Sequence, residues 1–132
     1  MAEGILGEIV ARKRADVASR LGGACLADLS AQAEPTRRSL SAALGRPGAR
    51  FIMEVKRSSP TRGALRANAD AAAMVRAYSG AADAVSVLTD GPFFGGSLSD
   101  LEHVRRTSDV PILAKDFIVD PRQVLEARIH GA

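Results

Sequence analysis

The sequence predicts an α/β protein built around a parallel β-sheet. From residue 50 onward the chain repeats the order strand, loop and helix three times. The strand starts lie about 30 residues apart, which is the length of a βαβ unit. The strands are apolar at most positions, as is typical of parallel strands that helices cover. Two architectures satisfy this pattern, an open doubly wound sheet and a (β/α)₈ barrel.

A helical segment precedes the sheet. Residues 5–21 predict a helix because their apolar residues fall on one stripe, and Gly22-Gly23 ends it. Residues 24–49 predict one or two short helices and a loop. We interpret the run Arg12-Lys13-Arg14 as a solvated basic face of the first helix. The apolar stripe consists of Ile5, Leu6, Ile9, Val10, Val17 and Leu21.

Three βα units follow the helical segment. Their strands are predicted at 51–56, 83–90 and 110–117. We therefore expect the chain to divide into a helical extension, 1–49, and a βα region, 50–132. A complete (β/α)₈ barrel usually takes about 250 residues, and three units leave the third strand with an unpaired edge. We expect these 132 residues to be a fragment of such a barrel that stops at the end of a helix.

Local signals place the helices that connect the strands. The first of these helices runs to about Tyr78, where Gly80 ends it. The second strand leads into the segment GPFFGG, residues 91–96, which we interpret as a loop. Residues that favour a helix start follow each strand: Asn68 or Asp70, Ser97 and Pro121.

Composition excludes several classes of protein. The chain is 46% hydrophobic and 25% charged, which is typical of a globular domain. A single cysteine, Cys25, excludes an internal disulfide and has no further soft ligands for a metal site. With no signal peptide in the charged N-terminus, we expect a cytoplasmic protein. No apolar run is long enough for a membrane, and the net charge of +3 is scattered, so we expect neither a membrane nor a nucleic-acid partner.

The lysines are the first candidates for chemistry. Arginine supplies 15 of the 18 basic residues, yet Lys56 and Lys115 fall at the ends of predicted strands. An ammonium can release a proton, whereas a guanidinium effectively cannot. Strand alternation places Glu54 and Lys56 on one face of the first strand. In a barrel such faces point inward, and the carboxyl ends of the strands form the active site.

Structural interpretations of the same residues stay open at this point. Glu54 and Lys56 could form a buried ion pair that sets the register of the strand. Lys115 and Asp116 could be an exposed pair at a strand end. The segment GPFFGG could be an ordinary turn, because its glycines form neither a P-loop nor a GxGxxG pattern.

Three motifs resemble the indole-3-glycerol phosphate synthase family of tryptophan biosynthesis. They are EVKRSSPTRG, SVLTDGPFFGGS and PILAKDFIVDPRQVLEARIHGA, and the opening ILGEIVARKRADV resembles that family's N-terminal helices. The resemblance implies the N-terminal half of a (β/α)₈ barrel, with the extension and the first three βα units. It also implies a lyase without metal or organic cofactor. This carboxy-lyase closes an indole ring on a phosphorylated small molecule, 1-(2-carboxyphenylamino)-1-deoxyribulose 5-phosphate, and releases carbon dioxide and water.

The resemblance assigns catalytic roles to three residues. Lys115 matches the family's general acid on the substrate ketone. Lys56 matches the lysine that meets the substrate carboxylate, and Glu54 matches the glutamate that holds the lysines. The family's proton acceptor for the dehydration and its phosphate site belong to later strands, which have no counterpart here. We therefore expect the isolated chain to lack synthase activity.

The resemblance also assigns four residues to substrate binding. Ser59 and Pro60 match a first loop that closes over the substrate. Phe94 and Phe117 match aromatic residues that line the pocket for the anthranilate ring.

Three other functions remain as alternatives. The chain could belong to another phosphate-sugar barrel such as phosphoribosylanthranilate isomerase, although Cys25 precedes the first strand and is badly placed for its acid–base pair. It could be a non-catalytic half-barrel that self-associates through the open edge of its sheet. It could be a basic nucleic-acid binder. The sequence leaves the oligomeric state open.

Overall fold

The computed structural model describes residues 4–66 and 68–132. Across this part of the chain the order of elements is helical first and then alternating. The helices are α1 (Ile5–Leu21), α2 (Leu26–Gln32), α3 (Leu40–Leu44), α4 (Ala71–Ala77), α5 (Gly91–Phe94), α6 (Leu98–Thr107) and α7 (Arg122–Ile129). The strands are β1 (Ile52–Val55), β2 (Ser58–Ser59), β3 (Gly63–Ala64), β4 (Ala84–Leu88) and β5 (Ile112–Lys115).

A parallel sheet in the order β1-β4-β5 forms the centre of the described residues. Glu54 pairs in register with Ser86, and Ser86 pairs with Leu113. One step further along, Leu88 pairs with Lys115. Strands that follow one another in the βα repeat are therefore neighbours, and the predicted α/β fold with a partial barrel sheet is confirmed.

Helices cover one face of this sheet and form the core with it. Val55, Val85 and Val87 point to that face and are almost completely buried. Val75 of α4 and Leu101 of α6 pack against them. Since each buried apolar side chain contributes roughly 1.5–3 kcal/mol, this layer holds the strands and helices together.

The opposite face of the sheet carries the polar candidates. Ile52 and Leu113 on this face are 44% and 41% exposed, although both are large and apolar. Glu54 and Lys115 alternate with residues of the core and so point to the same side. This is the face that lines the interior when a parallel sheet closes into a barrel.

Helix caps agree with most of the sequence signals. The Asp70 side chain accepts a hydrogen bond from the N–H of Ala72 at the start of α4. The Ser97 side chain accepts one from the N–H of Asp100 at the start of α6. Pro121 precedes α7 as predicted. These caps fix where each helix leaves the sheet.

Three expectations from the sequence are wrong in detail. The segment 91–96, interpreted as a loop, begins with the helical turn α5. The first apolar positions of α1, Ile5 and Leu6, are exposed rather than part of the buried stripe. Lys13, assigned to a solvated basic face, is only 4% exposed.

Of the helices described, none combines the length and apolar composition needed to cross a membrane.

Candidate active site

An ion pair joins the two outer strands of the sheet on its polar face. The Nζ atom of Lys115 lies 2.7 Å from Oε2 of Glu54. Lys115 is at the end of β5 and Glu54 is in β1, so the pair reaches across β4. The side chains are 54% and 33% exposed, so the ammonium is open to solvent at the carboxyl end of the sheet. The structure does not show the alternative ion pair between Glu54 and Lys56 that would set the register of the strand, because the Glu54 carboxylate contacts Lys115 instead.

Lys56 and two aromatic rings lie at the same end of the sheet. The Nζ atom of Lys56 is 5.6 Å from the centre of the Phe94 ring, within the range of a cation–π contact. The Phe94 and Phe117 ring centres are 6.1 Å apart with an interplanar angle of 38°. Phe117 follows Lys115 by two residues. The structure therefore places the three predicted catalytic residues and both predicted aromatic residues at the same end of the sheet.

The turn α5 positions Phe94. Oδ2 of Asp90 accepts a hydrogen bond from the N–H of Phe93 at 2.9 Å, which caps the turn. The turn ends at Gly95, whose φ of 65° is the left-handed conformation that glycine adopts without strain. The next residue, Gly96, passes so close to β4 that an added Cβ would lie 2.0 Å from the carbonyl oxygen of Leu88. The two glycines thus fold the chain back over the end of β4.

The predicted substrate loop is a short hairpin. Strands β2 and β3 pair in antiparallel fashion, with Ser59 opposite Gly63. Ser59 is buried, and its Oγ accepts a hydrogen bond from the N–H of Arg62 at 3.2 Å. Pro60 is exposed at the turn between the strands. The Oγ atom of Ser58 lies 3.5 Å from the Phe93 carbonyl oxygen, which brings the hairpin against α5.

Arg57 anchors this hairpin, a role that the sequence analysis missed. Its guanidinium makes two contacts to the Asp100 carboxylate, at 2.5 and 2.7 Å. It also donates to the carbonyl oxygens of Ala69 and Gly95, at 2.7 and 3.3 Å. The hydrogen bond to Asp100 is the main reason that the pKa of Arg57 is raised. One side chain therefore connects the hairpin, the segment before α4 and the chain after α5.

Lys13 is the second residue whose role was missed. Its ammonium lies 2.7 Å from Oδ1 of Asp90 and 2.8 Å from Oδ1 of Asp116. Burial lowers the pKa of Lys13, but hydrogen bonds to Asp116 and Asp90 outweigh it and leave the pKa raised. The lysine continues the buried positions of α1, Ile9, Val17 and Leu21, at a spacing of four residues. That spacing is the signal in the sequence that places Lys13 on the buried face.

The geometry is suited to acid–base chemistry on an organic substrate. A solvent-accessible ammonium beside a carboxylate can donate a proton to a developing alkoxide and stabilise it. The aromatic pair offers an apolar wall next to these charges. Among residues 4–66 and 68–132, no cluster of three or more His, Cys, Asp or Glu side chains is arranged to hold a metal ion.

Fold and site together define a protein of the (β/α)-barrel class, with two lysines and a glutamate gathered towards the carboxyl ends of its strands. The model of the indole-3-glycerol phosphate synthase family matches residues 6–132. The chain belongs to the indole-3-glycerol phosphate synthase family. This confirms the resemblance carried by the strand motifs.

Curated relatives agree with the family match. An indole-3-glycerol phosphate synthase of Mycolicibacterium gilvum is 50% identical over 131 residues, which are 97% of this chain and 48% of that protein. That of Mycobacteroides abscessus is 47% identical over the same shares of both chains. Indole-3-glycerol phosphate synthase 1 of Streptomyces coelicolor is 47% identical over 97% of this chain and 49% of that protein. The chain thus spans about half the length of the curated relatives it matches.

Proposed function

We propose that this chain forms the N-terminal half of an indole-3-glycerol phosphate synthase, a carbon–carbon lyase of the carboxy-lyase type. Its substrate is 1-(2-carboxyphenylamino)-1-deoxyribulose 5-phosphate. The observation that carries the proposal is the contact of 2.7 Å between Lys115 and Glu54 at the carboxyl end of the sheet. The family's residues at these positions perform the acid–base steps of ring closure, and the geometry supports the same assignment here.

Lys115 acts as the general acid. A ring carbon of the substrate attacks the ribulose ketone, a carbon–carbon bond forms, and the ketone oxygen takes the proton from the Lys115 ammonium. The carboxyl group then leaves as carbon dioxide and restores the aromatic ring. The hydroxyl group formed from the ketone finally takes up a proton and leaves as water. The neighbouring carbon next to the nitrogen loses a proton to the family's acceptor, and the carbon–carbon double bond of the indole forms. Glu54 orients the Lys115 ammonium for the first step through their direct contact.

Lys56 and the aromatic pair hold the anthranilate part of the substrate. Lys56 meets the substrate carboxylate, and its place over the Phe94 ring puts that contact at the edge of the aromatic wall. Phe94 and Phe117 line the pocket for the ring. Ser59 and Pro60 belong to the hairpin that closes over the bound substrate.

The isolated 132 residues are expected to be inactive. The family's proton acceptor for the dehydration and its phosphate site lie on later strands, and neither has a counterpart in this sequence. The exposed Ile52 and Leu113 on the polar face agree with this, because a catalytic face must exclude water to strengthen its electrostatic contacts.

The test uses a full-length polypeptide in which residues 1–132 are followed by the remainder of the Mycolicibacterium gilvum relative. Indole fluorescence reports turnover of the carboxyphenylamino-ribulose phosphate. We expect turnover by the full-length polypeptide, none by the isolated chain, and none by the Lys115→Met variant, which still binds the substrate. The exposed cation Arg106 provides the control, since Arg106→Met leaves kcat unchanged. A folded but inactive full-length polypeptide, tested beside the active relative, contradicts the proposal.

A further inference from the structure

The buried ammonium of Lys13 has no part in the mechanism described above. It comes from α1, in the helical extension, and reaches the carboxyl ends of β4 and β5, where it contacts Asp90 and Asp116. The side chains of Lys13 and Asp90 are 4% and 1% exposed, so neither is available to the substrate. A buried lysine with two carboxylate partners is costly to desolvate and is kept only where its contacts replace the lost water. Its place in the fold therefore requires an explanation.

Each carboxylate that contacts Lys13 also holds the backbone of a site segment. Asp90 uses Oδ1 for Lys13 and Oδ2 for the N–H of Phe93, the cap of α5 that carries Phe94. Asp116 uses Oδ1 for Lys13 and for the N–H of Phe117, at 2.7 Å. Lys13 thus fixes the two carboxylates that in turn fix the chain around both aromatic residues.

The Asp116 carboxylate is held on its second side as well. Its Oδ2 accepts a hydrogen bond from Oγ1 of Thr89 at 2.8 Å. Thr89 and Asp90 follow β4, and Asp116 follows β5. The Thr89–Asp116 hydrogen bond therefore joins the ends of the two strands directly, and Lys13 joins them a second time. Asp116 is the residue after Lys115. Any rotation of the Asp116 backbone therefore moves the main chain of Lys115, the proposed general acid.

We propose that Lys13 is a positioning residue for the synthase reaction, which joins the ends of β4 and β5 and so fixes Lys115, Phe94 and Phe117 relative to one another. This rests on the proposed function, because its readout is synthase turnover. Lys13 does not touch the substrate. It acts through Asp90 and Asp116, and displacements of about 1 Å in catalytic geometry lower rates by roughly 100-fold.

A second contact of the same helix provides a matched control. Arg20 lies about two helical turns after Lys13, on the same side of α1, and pairs with Glu126 of α7. It fastens α1 to the βα region without touching the ends of β4 or β5. If Lys13 only attaches the helix, then Lys13→Met and Arg20→Met affect the protein in the same way. If Lys13 positions the site, only Lys13→Met changes catalysis in the folded protein.

The experiment measures kcat, KM and Tm of these variants in the full-length polypeptide, at a temperature where each is folded. We expect Lys13→Met to lower kcat roughly 10- to 100-fold with a much smaller change in KM, and Arg20→Met to leave kcat within about twofold. Equal kcat values for the two variants overturn the proposal. Loss of activity by the unsubstituted polypeptide is the separate failure of the proposed function.

A triple variant keeps the proposal testable if Lys13→Met does not fold. Lys13→Met with Asp90→Asn and Asp116→Asn removes both negative charges together with their cation. We expect Tm to recover towards that of the unsubstituted polypeptide while kcat stays at least about tenfold low. Recovery of kcat in parallel with Tm means that the lysine only balances charge, and overturns the positioning role.

Discussion

Lys115 and Glu54 are 61 positions apart in the sequence, yet their side chains meet at 2.7 Å on the polar face of the sheet. The contact depends on the parallel register of β1, β4 and β5, which pairs Glu54 with Ser86 and Lys115 with Leu88, two positions apart on β4. Neither side chain is fully buried. The pair therefore adds little to stability, and under the proposed function its contribution is to hold the Lys115 ammonium in place.

Replacing Glu54 by Gln tests this separation of function from stability. We expect kcat of the full-length polypeptide to fall about 10- to 100-fold, because the neutral amide of Gln holds the Lys115 ammonium less firmly than the carboxylate does. The free energy of unfolding should change by less than about 1 kcal/mol, since the pair is exposed to solvent. Steady-state kinetics and urea unfolding measure the two quantities. The exposed carboxylate Glu8 is the control, and a loss of kcat for Glu8→Gln of the same size contradicts the assignment.

Replacing Arg57 by Met should strongly lower the free energy of unfolding, unlike the replacement of Glu54. The substitution leaves the buried Asp100 carboxylate without its partner, and breaking such a pair costs about 3–5 kcal/mol. It also removes the contacts to the carbonyl oxygens of Ala69 and Gly95. The matched control is Arg76→Met, because Arg76 pairs with Asp70 at 3.5 Å on the exposed surface. If urea unfolding gives both variants the same stability, Arg57 does not anchor the hairpin.

The contact between Asp120 and Arg122 should make a contribution to stability that depends on pH. Hydrogen bonds from the side chain and the backbone N–H of Arg122 lower the pKa of Asp120 to about 2. Because this pKa is below the unfolded value of about 3.9, the contact stabilises the fold above about pH 4. That stabilisation is lost as the pH falls through about 2. The carboxyl ¹³C shift of Asp120 should titrate near pH 2, and Arg122→Met should return its midpoint towards the usual value. A midpoint that does not move assigns the low pKa to another cause.

The sequence predicted those parts of the fold that depend on repeating local signals. The βα period, the caps at Asp70 and Ser97 and the alternation of Glu54 with core residues are each contained in a few consecutive residues. The polar face of the sheet follows from that alternation. The residues Lys56 and Lys115 could be selected because lysine is rare in this chain.

The contacts that organise the site could not be predicted in the same way. Arg57 meets Asp100 across 43 positions, and Lys13 meets Asp90 and Asp116 across a greater separation still. A charged residue in a run of charges is usually solvated, so Arg12-Lys13-Arg14 favoured the wrong interpretation. Such pairs depend on tertiary packing, which overrides local pattern.

Gly96 provides a final test of how the chain crosses the end of β4. A methyl group on Gly96 would lie 2.0 Å from the carbonyl oxygen of Leu88 and 2.6 Å from its carbonyl carbon. These are backbone atoms of a buried strand and cannot move aside as a side chain would. We therefore expect Gly96→Ala to lower the free energy of unfolding by about 3 kcal/mol or more. The loss in kcat should exceed that of an equally destabilised core variant, because the same movement displaces Phe94.

Gly91 is the control for this substitution. It lies in the same turn, but the nearest atom to an added methyl is the Gly96 carbonyl oxygen at 3.7 Å, an ordinary contact. Alanine is also a better helix former than glycine by up to about 1 kcal/mol. Urea unfolding should therefore find Gly91→Ala neutral or slightly stabilised. Equal stabilities for the two alanine variants would show that the chain does not pass as closely over β4 as the structure places it.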